Sequence, residues 1–434
     1  MATTSTRNKP RSTGLVGTLF PRKRVRVASA GLLIICIALS GISFATSKDG
    51  KTLFGPPLGA DFAGFYVVGE IYNQYGPASV YDLDLQSKLY HELLPHEPAT
   101  ASLPYAHAPL LVPAFAQLAK LPYPQAYFTW LILSMAIYCG GIVLLLSACP
   151  KLSDSDRLTA ILLAVSFEPF IMECWHGGQI AVIGFLALSA AFWCLRRERM
   201  LCAGIALSFC IYKPTLLVVV LPMLVFMRQW RMLMGFAIGA SYLELLSMVI
   251  LTPSTCLAHL NLLLHYAQRT TSGGTFFQTQ KYVDFNSFVK LLLPGSAIAP
   301  IVLGALMGLS ALLLGRVLSK VAGEPDRSLL VATAIAWTMV LNLYIALYDT
   351  ICIVPVLFVA AEYFLGKERR LPMPFRLLLV GTYIAPCVTQ TIARWTGLQL
   401  YTIVLAMGAI YLLLQLRPAG ERKTAHRAQL AMAN

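Results

Sequence analysis

The chain has 434 residues, of which 57% are hydrophobic and only 12% are charged, with a mean hydropathy of +0.67 and a formal net charge of +14. This composition excludes an ordinary water-soluble domain, and repeated apolar runs of about 20 residues indicate an all-α bundle of membrane-spanning helices. Nucleic-acid binding is not expected, because the basic residues form short runs between the apolar segments, as in proteins whose orientation is set by cytoplasmic charge. These runs are RKRVR at 22–26, RRER at 196–199, RQWR at 228–231 and KERR at 367–370.

In chain order, a basic cytoplasmic tail at 1–26 precedes an apolar run that is too long for a typical signal peptide and shows no small-residue cleavage site. We therefore interpret this run as an uncleaved anchor. Together with the later runs it predicts a polytopic bundle of about 12 spans. The runs lie at roughly 27–46, 125–148, 157–173, 179–195, 200–212, 214–227, 232–252, 297–319, 328–347, 350–365, 375–391 and 398–416.

The pair of runs at 200–227 is too long for one span and short for two. Pro214 removes a backbone donor, so a hairpin that turns at Lys213-Pro214 is expected. The RRER and RQWR runs on either side then lie on the same face of the membrane. With both termini cytoplasmic, most of the 34 Lys and Arg residues fall in inner segments. The sequence thus predicts one membrane domain at 27–416 and a basic cytoplasmic tail at 417–434.

Two predicted outer segments are long, one from about 47 to 124 and the other from about 253 to 296. Connections of this size usually carry function. The first contains amphipathic stretches, FAGFYVVGEIYNQYG and YDLDLQSKLYHELL, and then HAPLLVPAFAQLAKLP, which we interpret as a helix at the outer interface.

A set of polar groups falls at or beyond the outer ends of these spans, several of them in apolar surroundings. Ionisable groups so close to the hydrocarbon are costly to desolvate, which makes them candidates for function. The set comprises Asp61, His107, Glu173, His176, Gln179, Lys213, His265, Arg269, Asp284, Asn286 and Asp349.

Each candidate also has a structural interpretation. Lys213 could extend towards phospholipid headgroups, Asp349 could cap the helix that follows it, and Asp61 could be an ordinary loop carboxylate. The DLD at 82–84 resembles a metal-binding DxD, but its amphipathic setting favours a helix start. No metal and no cofactor is expected.

Transfer from a membrane-embedded phosphate donor is the reaction that would use such a set. A lysine is a compact cation suited to holding a phosphate, and a carboxylate can accept the proton of an incoming hydroxyl group. A cytosolic nucleotide donor fits poorly, because the set faces away from the cytoplasm and no phosphate-binding glycine loop is present.

Several motifs resemble glycosyltransferase family 87 of the GT-C superfamily, and their order and spacing together are specific. They are ADFAGFYVVGEIY…VYDLD at 60–84, PYAHAPLLVPAFAQLAKLPYPQAYFTW at 104–130, GGQIAV…YKPTLL within 177–224, and LYIALYDTICIVP at 343–355. The resemblance implies a GT-C-like bundle of about a dozen transmembrane helices with a large first periplasmic loop. It also implies a polyprenyl-phosphate-sugar donor and an inverting transfer.

By this resemblance Asp61 matches the catalytic base of the family. Lys213 matches the lysine of the family's Lys-Pro motif, and Gln179 matches the glutamine of its Gly-Gln motif. We expect Lys213, Arg269 and His176 to bind the donor phosphate. Substrate binding is expected at Gln179, His107, Tyr348 and Asp349. The family includes a mycobacterial branch of mannosyltransferases. The chain departs from the family in YAHAP, where relatives commonly show Tyr-x-Tyr-Pro-Pro, and in Tyr348-Asp349, where the mycobacterial branch has a histidine. A branch other than the mycobacterial one is therefore indicated.

The sequence thus predicts a multi-pass glycosyltransferase of the bacterial inner membrane that transfers a hexose, with mannose expected, to a lipid or glycan acceptor on the periplasmic face. Its partners would be the lipid-linked donor, the acceptor and membrane lipids. The alternatives are a transporter or flippase of envelope glycans or lipids, and a non-catalytic assembly protein. A transporter should place its site near the midplane of the membrane and often shows repeated halves, whereas here the polar groups collect at one face.

Overall fold

The fold is all-helical in the computed structural model, which describes residues 21–47, 52, 57–59, 61–97, 103–271, 278–321, 326–368 and 370–416, with side chains omitted at 265–271. Most of the two predicted basic tails lies outside these residues. Among these residues, Tyr282 and Ala346 form an isolated antiparallel β bridge. The α-helices are α1 (Arg22–Ala45), α2 (Phe62–Tyr75), α3 (Leu83–Leu93), α4 (Val112–Leu118), α5 (Tyr123–Ala148), α6 (Asp154–Val165), α7 (Ala181–Leu195), α8 (Met200–Ser208), α9 (Val220–Phe226), α10 (Trp230–Leu251), α11 (Pro253–Thr271), α12 (Phe285–Leu292), α13 (Ala299–Leu318), α14 (Arg327–Val340), α15 (Ile353–Glu368), α16 (Met373–Thr396) and α17 (Leu400–Gln415).

Short helical segments interrupt or extend these helices. A π-helix follows α6, and 3₁₀ helices occur at six places in the described chain. Four of these seven segments carry or adjoin candidate residues. The segments are Pro77–Ser79, Pro109–Leu111, Pro169–His176 (the π-helix), Phe209–Tyr212, Pro214–Leu217, Thr279–Lys281 and Leu347–Cys352.

Every predicted apolar run coincides with helical structure, but the count of about 12 spans is not confirmed. Six helices in the described residues are long and apolar enough to cross a membrane, or seven if α6 and the π-helix, bent by 45°, form one span. The other apolar helices have 10–17 residues, because prolines and turns divide the runs. The six are α1, α5, α10, α13, Leu347–Glu368 and α16.

The packing places polar and small residues inside and apolar residues outside on several helices. On α13, Ile301 and Leu312 expose 71% and 70% of their surface, and on α10 Val249 exposes 83%. In contrast, Ser328–Val340 of α14 is buried throughout. An apolar exterior around a buried helix is the arrangement expected for a protein surrounded by lipid.

The chain reverses direction between Lys213 and α10. Helices α8 and α10 run parallel in close contact, since a Cβ atom at Gly235 would meet the carbonyl of Leu201, one at Gly204 would meet the backbone nitrogen of Phe236, and one at Gly239 would meet the side chain of Ser208. The RRER and RQWR runs, which precede α8 and α10 respectively, therefore lie at the same end of the bundle. Small residues allow this approach of two helix backbones, as is common in membrane helix pairs.

This contact predicts a stability effect with an internal control. Gly204→Leu forces the side chain into the backbone of α10 and should destabilise the protein by about 1–3 kcal/mol, the usual cost of overpacking. Gly308→Leu on α13 is the matched control, because nothing lies within 4 Å of a Cβ at that position. Thermal unfolding of the two purified variants in detergent provides the measurement. Equal unfolding midpoints for Gly204→Leu and Gly308→Leu would show that the α8–α10 contact is not tight.

The two ends of the bundle differ in chemistry. At one end Arg196, after α7, pairs with the buried Glu362 of α15 at 3.1 Å, and Glu362 also accepts the backbone N–H of Lys151 at 3.0 Å. Asp349 precedes Glu362 by 13 residues of largely helical chain, or roughly 20 Å at 1.5 Å per residue. Gln179 likewise precedes α7 at its far end. The candidate residues Gln179 and Asp349 therefore lie at the end opposite Arg196.

Candidate active site

Asp61 is positioned by the Gly177-Gly178 turn. Its backbone N–H donates to the Gly177 carbonyl at 3.1 Å. Gly178 has φ +77°, and a Cβ there would lie 2.5 Å from the Cβ of Phe62, so only glycine fits this approach. The Phe62 side chain, fully buried among the rings of Tyr123, Tyr127 and Trp130, fixes the start of α2. The backbone that carries Asp61 is thus held on both sides.

The Asp61 side chain does not cap α2, although it occupies the N-cap position. Its carboxylate instead accepts a hydrogen bond from Nε2 of Gln179 at 2.5 Å. Gln179 is 5% exposed, and its Oε1 is buried without a hydrogen-bond partner among the described residues. The amide therefore orients the carboxylate and leaves one acceptor free for a bound molecule.

Burial of the carboxyl group raises the pKa of Asp61 above its ordinary value. The Gln179 hydrogen bond and then the charges of Lys281 and Lys213 act in the opposite direction. The residue nevertheless keeps part of its surface accessible. A desolvated but reachable carboxylate of raised basicity is suited to accept a proton.

Lys213 and Asp349 form a buried ion pair, and the Lys213 charge acts on the Asp61 carboxylate. Lys213 lies between two 3₁₀ helices, and its Nζ is 2.5 Å from Oδ2 of Asp349, with the side chains 15% and 1% exposed. Asp349 Oδ2 also accepts the backbone N–H of Ala346 at 3.0 Å. The ring of Tyr348 lies 4.9 Å from the Lys213 ammonium. Asp349 thus both caps its 3₁₀ helix and neutralises Lys213.

His107 lies in an aromatic cluster beside Lys213. Its ring centroid is 5.5 Å from that of Phe65 and 5.6 Å from that of Tyr105. Burial, together with the nearby positive charges of Lys213 and His259, lowers the pKa of His107 to about 3. The imidazole is therefore neutral at physiological pH, so it can take part in hydrogen bonds but cannot supply a cation.

The other two residues expected at the phosphate are His176 and Arg269. The His176 ring packs against Phe44, with centroids 5.2 Å apart, and its Nδ1 has no partner among the described residues. The carbonyl of His176 accepts the Tyr127 hydroxyl. Arg269 belongs to α11, but its side chain lies outside what the structure describes.

Other polar residues singled out by the sequence have structural roles. Asp284 is fully buried and accepts the backbone N–H groups of Ser287 and Ile345, both at 2.9 Å. Asn286 donates to the Leu343 carbonyl at 2.9 Å. These bonds hold the segment that contains α12 against the residues that precede Tyr348.

The DLD sequence is a helix start, as the amphipathic setting predicts. Asp82 caps α3 by accepting the N–H groups of Asp84 and Leu85, both at 3.1 Å. In the described part of the chain, no group of three or more His, Cys, Asp or Glu side chains could hold a metal ion.

The structure also brings in two residues that sequence reasoning missed. Lys281, in the 3₁₀ helix Thr279–Lys281, lies close enough to Asp61 and Glu173 to stabilise both carboxylates. Gln390 of α16 donates to Oε1 of Glu173 at 2.5 Å. Lys281 carried no signal in the sequence, because lysines are ordinary in exposed segments. Gln390 could have been noticed as an uncharged polar residue within an apolar run.

The model of glycosyltransferase family 87 matches residues 105–347, more than half of the chain. The matched range includes His107, Gln179 and Lys213, begins after Asp61 and ends immediately before Tyr348. No curated protein and no solved structure shows a significant match to the chain.

Proposed function

The chain belongs to glycosyltransferase family 87 and is therefore a glycosyltransferase, and from this we propose that it transfers a hexose, with mannose expected, from a polyprenyl-phosphate donor to a lipid or glycan acceptor. The reaction takes place at the outer face of the inner membrane. The observation that carries the proposal is the Asp61 carboxylate, held by Gln179 beside two lysines at one end of a bundle of apolar helices.

In the proposed reaction Asp61 is the general base. It accepts the proton of an acceptor hydroxyl group while the hydroxyl oxygen attacks the anomeric carbon of the donor sugar. The bond between that carbon and the phosphate oxygen breaks, and its electron pair leaves with the polyprenyl phosphate. Attack opposite the leaving phosphate inverts the anomeric configuration. Desolvation favours this role, since a carboxylate with raised pKa is a stronger base.

Positive charge near the anomeric carbon stabilises the departing phosphate. Lys213 is the buried candidate, but its ammonium is shared with Asp349, so only part of its charge is available to a ligand. His176 and Arg269 stay as further proposed phosphate ligands. His107, Gln179, Tyr348 and Asp349 are proposed to contact the substrates, with the free Oε1 of Gln179 accepting a sugar or acceptor hydroxyl.

The Gln179–Asp61 hydrogen bond predicts a change in the pH profile. This bond lowers the pKa of Asp61, so Gln179→Met should raise that pKa, and the acid limb of kcat/KM should move to higher pH. Activity is then lost earlier as the pH falls. The control is Gln117→Met, because the exposed Gln117 side chain accepts a hydrogen bond from the Lys120 ammonium, at 2.8 Å. An unmoved acid limb, with equal loss at every pH, would contradict the orienting role.

Lipid analysis of a strain that lacks the protein tests the proposed function as a whole. We expect mass spectrometry to show accumulation of an acceptor that is one hexose shorter than the normal product. Re-expression of the wild-type chain should restore the product, and re-expression of Asp61→Asn should not. Unchanged lipids and glycans in the deleted strain would contradict the proposal.

A further inference from the structure

Lys281 is brought to the site by the pairing of two distant segments. Tyr282, the next residue, pairs with Ala346, and the Val283 N–H donates to the Ile345 carbonyl at 2.9 Å. Ala346 in turn donates to Asp349. The 3₁₀ helix that ends at Lys281 therefore lies beside the Lys213–Asp349 pair.

A second set of contacts fixes the other side of this helix. Thr279–Lys281 packs against α16, whose Gln390 bonds Glu173. Gln399 donates to the carbonyls of Gln280 and Tyr282, at 2.8 and 3.1 Å. The backbone on both sides of Lys281 is thus anchored, while its side chain is exposed.

Among the described residues, Lys281 is the lysine of the site that forms no ion pair with a carboxylate. In the described residues it forms no ion pair within 4.0 Å, whereas Lys213 is 2.5 Å from Asp349. It nonetheless lies within electrostatic reach of Asp61 and Glu173. An inverting displacement needs the base and the leaving phosphate on opposite sides of one sugar carbon. A cation near Asp61 but out of contact with it leaves room for that sugar.

We propose that Lys281 binds the phosphate group of the lipid-linked donor at the mouth of the site and supplies the positive charge that Lys213, held by Asp349, provides only in part. This inference rests on the proposed function, because it takes the donor to be a polyprenyl phosphate. The exposed ammonium can meet a phosphate at the lipid surface without breaking an existing ion pair. Glu173 of the π-helix and Gln390 of α16 lie at the edge of the same region.

Binding of a short surrogate tests this assignment. Farnesyl phosphate and farnesol, which share the prenyl chain and differ in the phosphate, are titrated against the purified full-length protein in detergent. Lys281→Met should weaken binding of farnesyl phosphate by about 10- to 150-fold, the range for loss of one charged hydrogen-bond partner. Binding of farnesol should not change, and Lys281→Arg should recover part of the loss.

The matched control is Lys290→Met, which removes a lysine from the same outer segment, where its ammonium lies 5.8 Å from the Tyr344 ring. It should bind farnesyl phosphate as the wild type does. If Lys281→Met also binds like the wild type, Lys281 only balances Asp61 and Glu173, and the inference fails while the proposed function stands. If the wild type itself does not prefer farnesyl phosphate to farnesol, the inference and the proposed function both fail.

Discussion

Asp61→Asn should reduce turnover by at least about 100-fold while leaving the amount of folded protein unchanged. The substitution keeps the size of the side chain and an oxygen that can accept the Gln179 hydrogen bond, but it removes the group that accepts the proton. The backbone of residue 61 is held by Gly177 in either case. The effect should therefore fall on the chemical step, and binding of the donor should be nearly normal.

The measurement is the rate of hexose release from a polyprenyl-phosphate hexose by purified protein. Asp84→Asn is the control, because Asp84 is an exposed carboxylate in the same connection between α1 and α5. It should behave as the wild type. Near-normal turnover of Asp61→Asn would remove Asp61 from the mechanism, and an equal loss of folded protein would indicate a structural role instead.

The second large effect is expected at the Lys213–Asp349 pair. Lys213→Met leaves the Asp349 carboxylate, which is 1% exposed, without its cation. Breaking a buried ion pair from one side costs about 3–5 kcal/mol, so this variant should lose most of its stability. The double variant Lys213→Met with Asp349→Leu removes both charges. It should regain much of the stability but remain poorly active, since the site has lost part of its positive charge.

Thermal unfolding and donor turnover of the three proteins separate these effects. The control is Arg196→Met, which breaks the analogous pair with the buried Glu362 at the opposite end of the bundle. It should lower stability without changing the KM for the donor. If Lys213→Met unfolds at the wild-type temperature and turns over normally, the lysine only extends to the headgroup region.

The sequence was sufficient for the class of fold, because each apolar run forms helical structure where hydropathy predicts it. The number of spans could not be predicted from hydropathy in the same way. Runs such as 200–227 break at Lys213-Pro214 and pack as short helices, and hydropathy does not distinguish a short buried helix from a span.

The site was predictable only where neighbouring residues define it. The Gly-Gly-Gln turn and the Lys-Pro break lie within single motifs, and the structure brings both to one end of the bundle. The Lys213–Asp349 contact joins residues 136 positions apart, so the sequence could not show that Asp349 neutralises the lysine. Lys281 reaches the site through β pairing at Tyr282, which leaves no local pattern.

In the proposed reaction the sugar comes from a polyprenyl phosphate and is transferred with inversion. Its most direct test uses purified protein, a labelled polyprenyl-phosphate mannose and an extract of membrane lipids. We expect a labelled glycolipid or glycan whose new linkage has the anomeric configuration opposite to that of the donor, and no product from nucleotide-linked mannose. Transfer from the nucleotide sugar, or a product that retains the donor configuration, would contradict it.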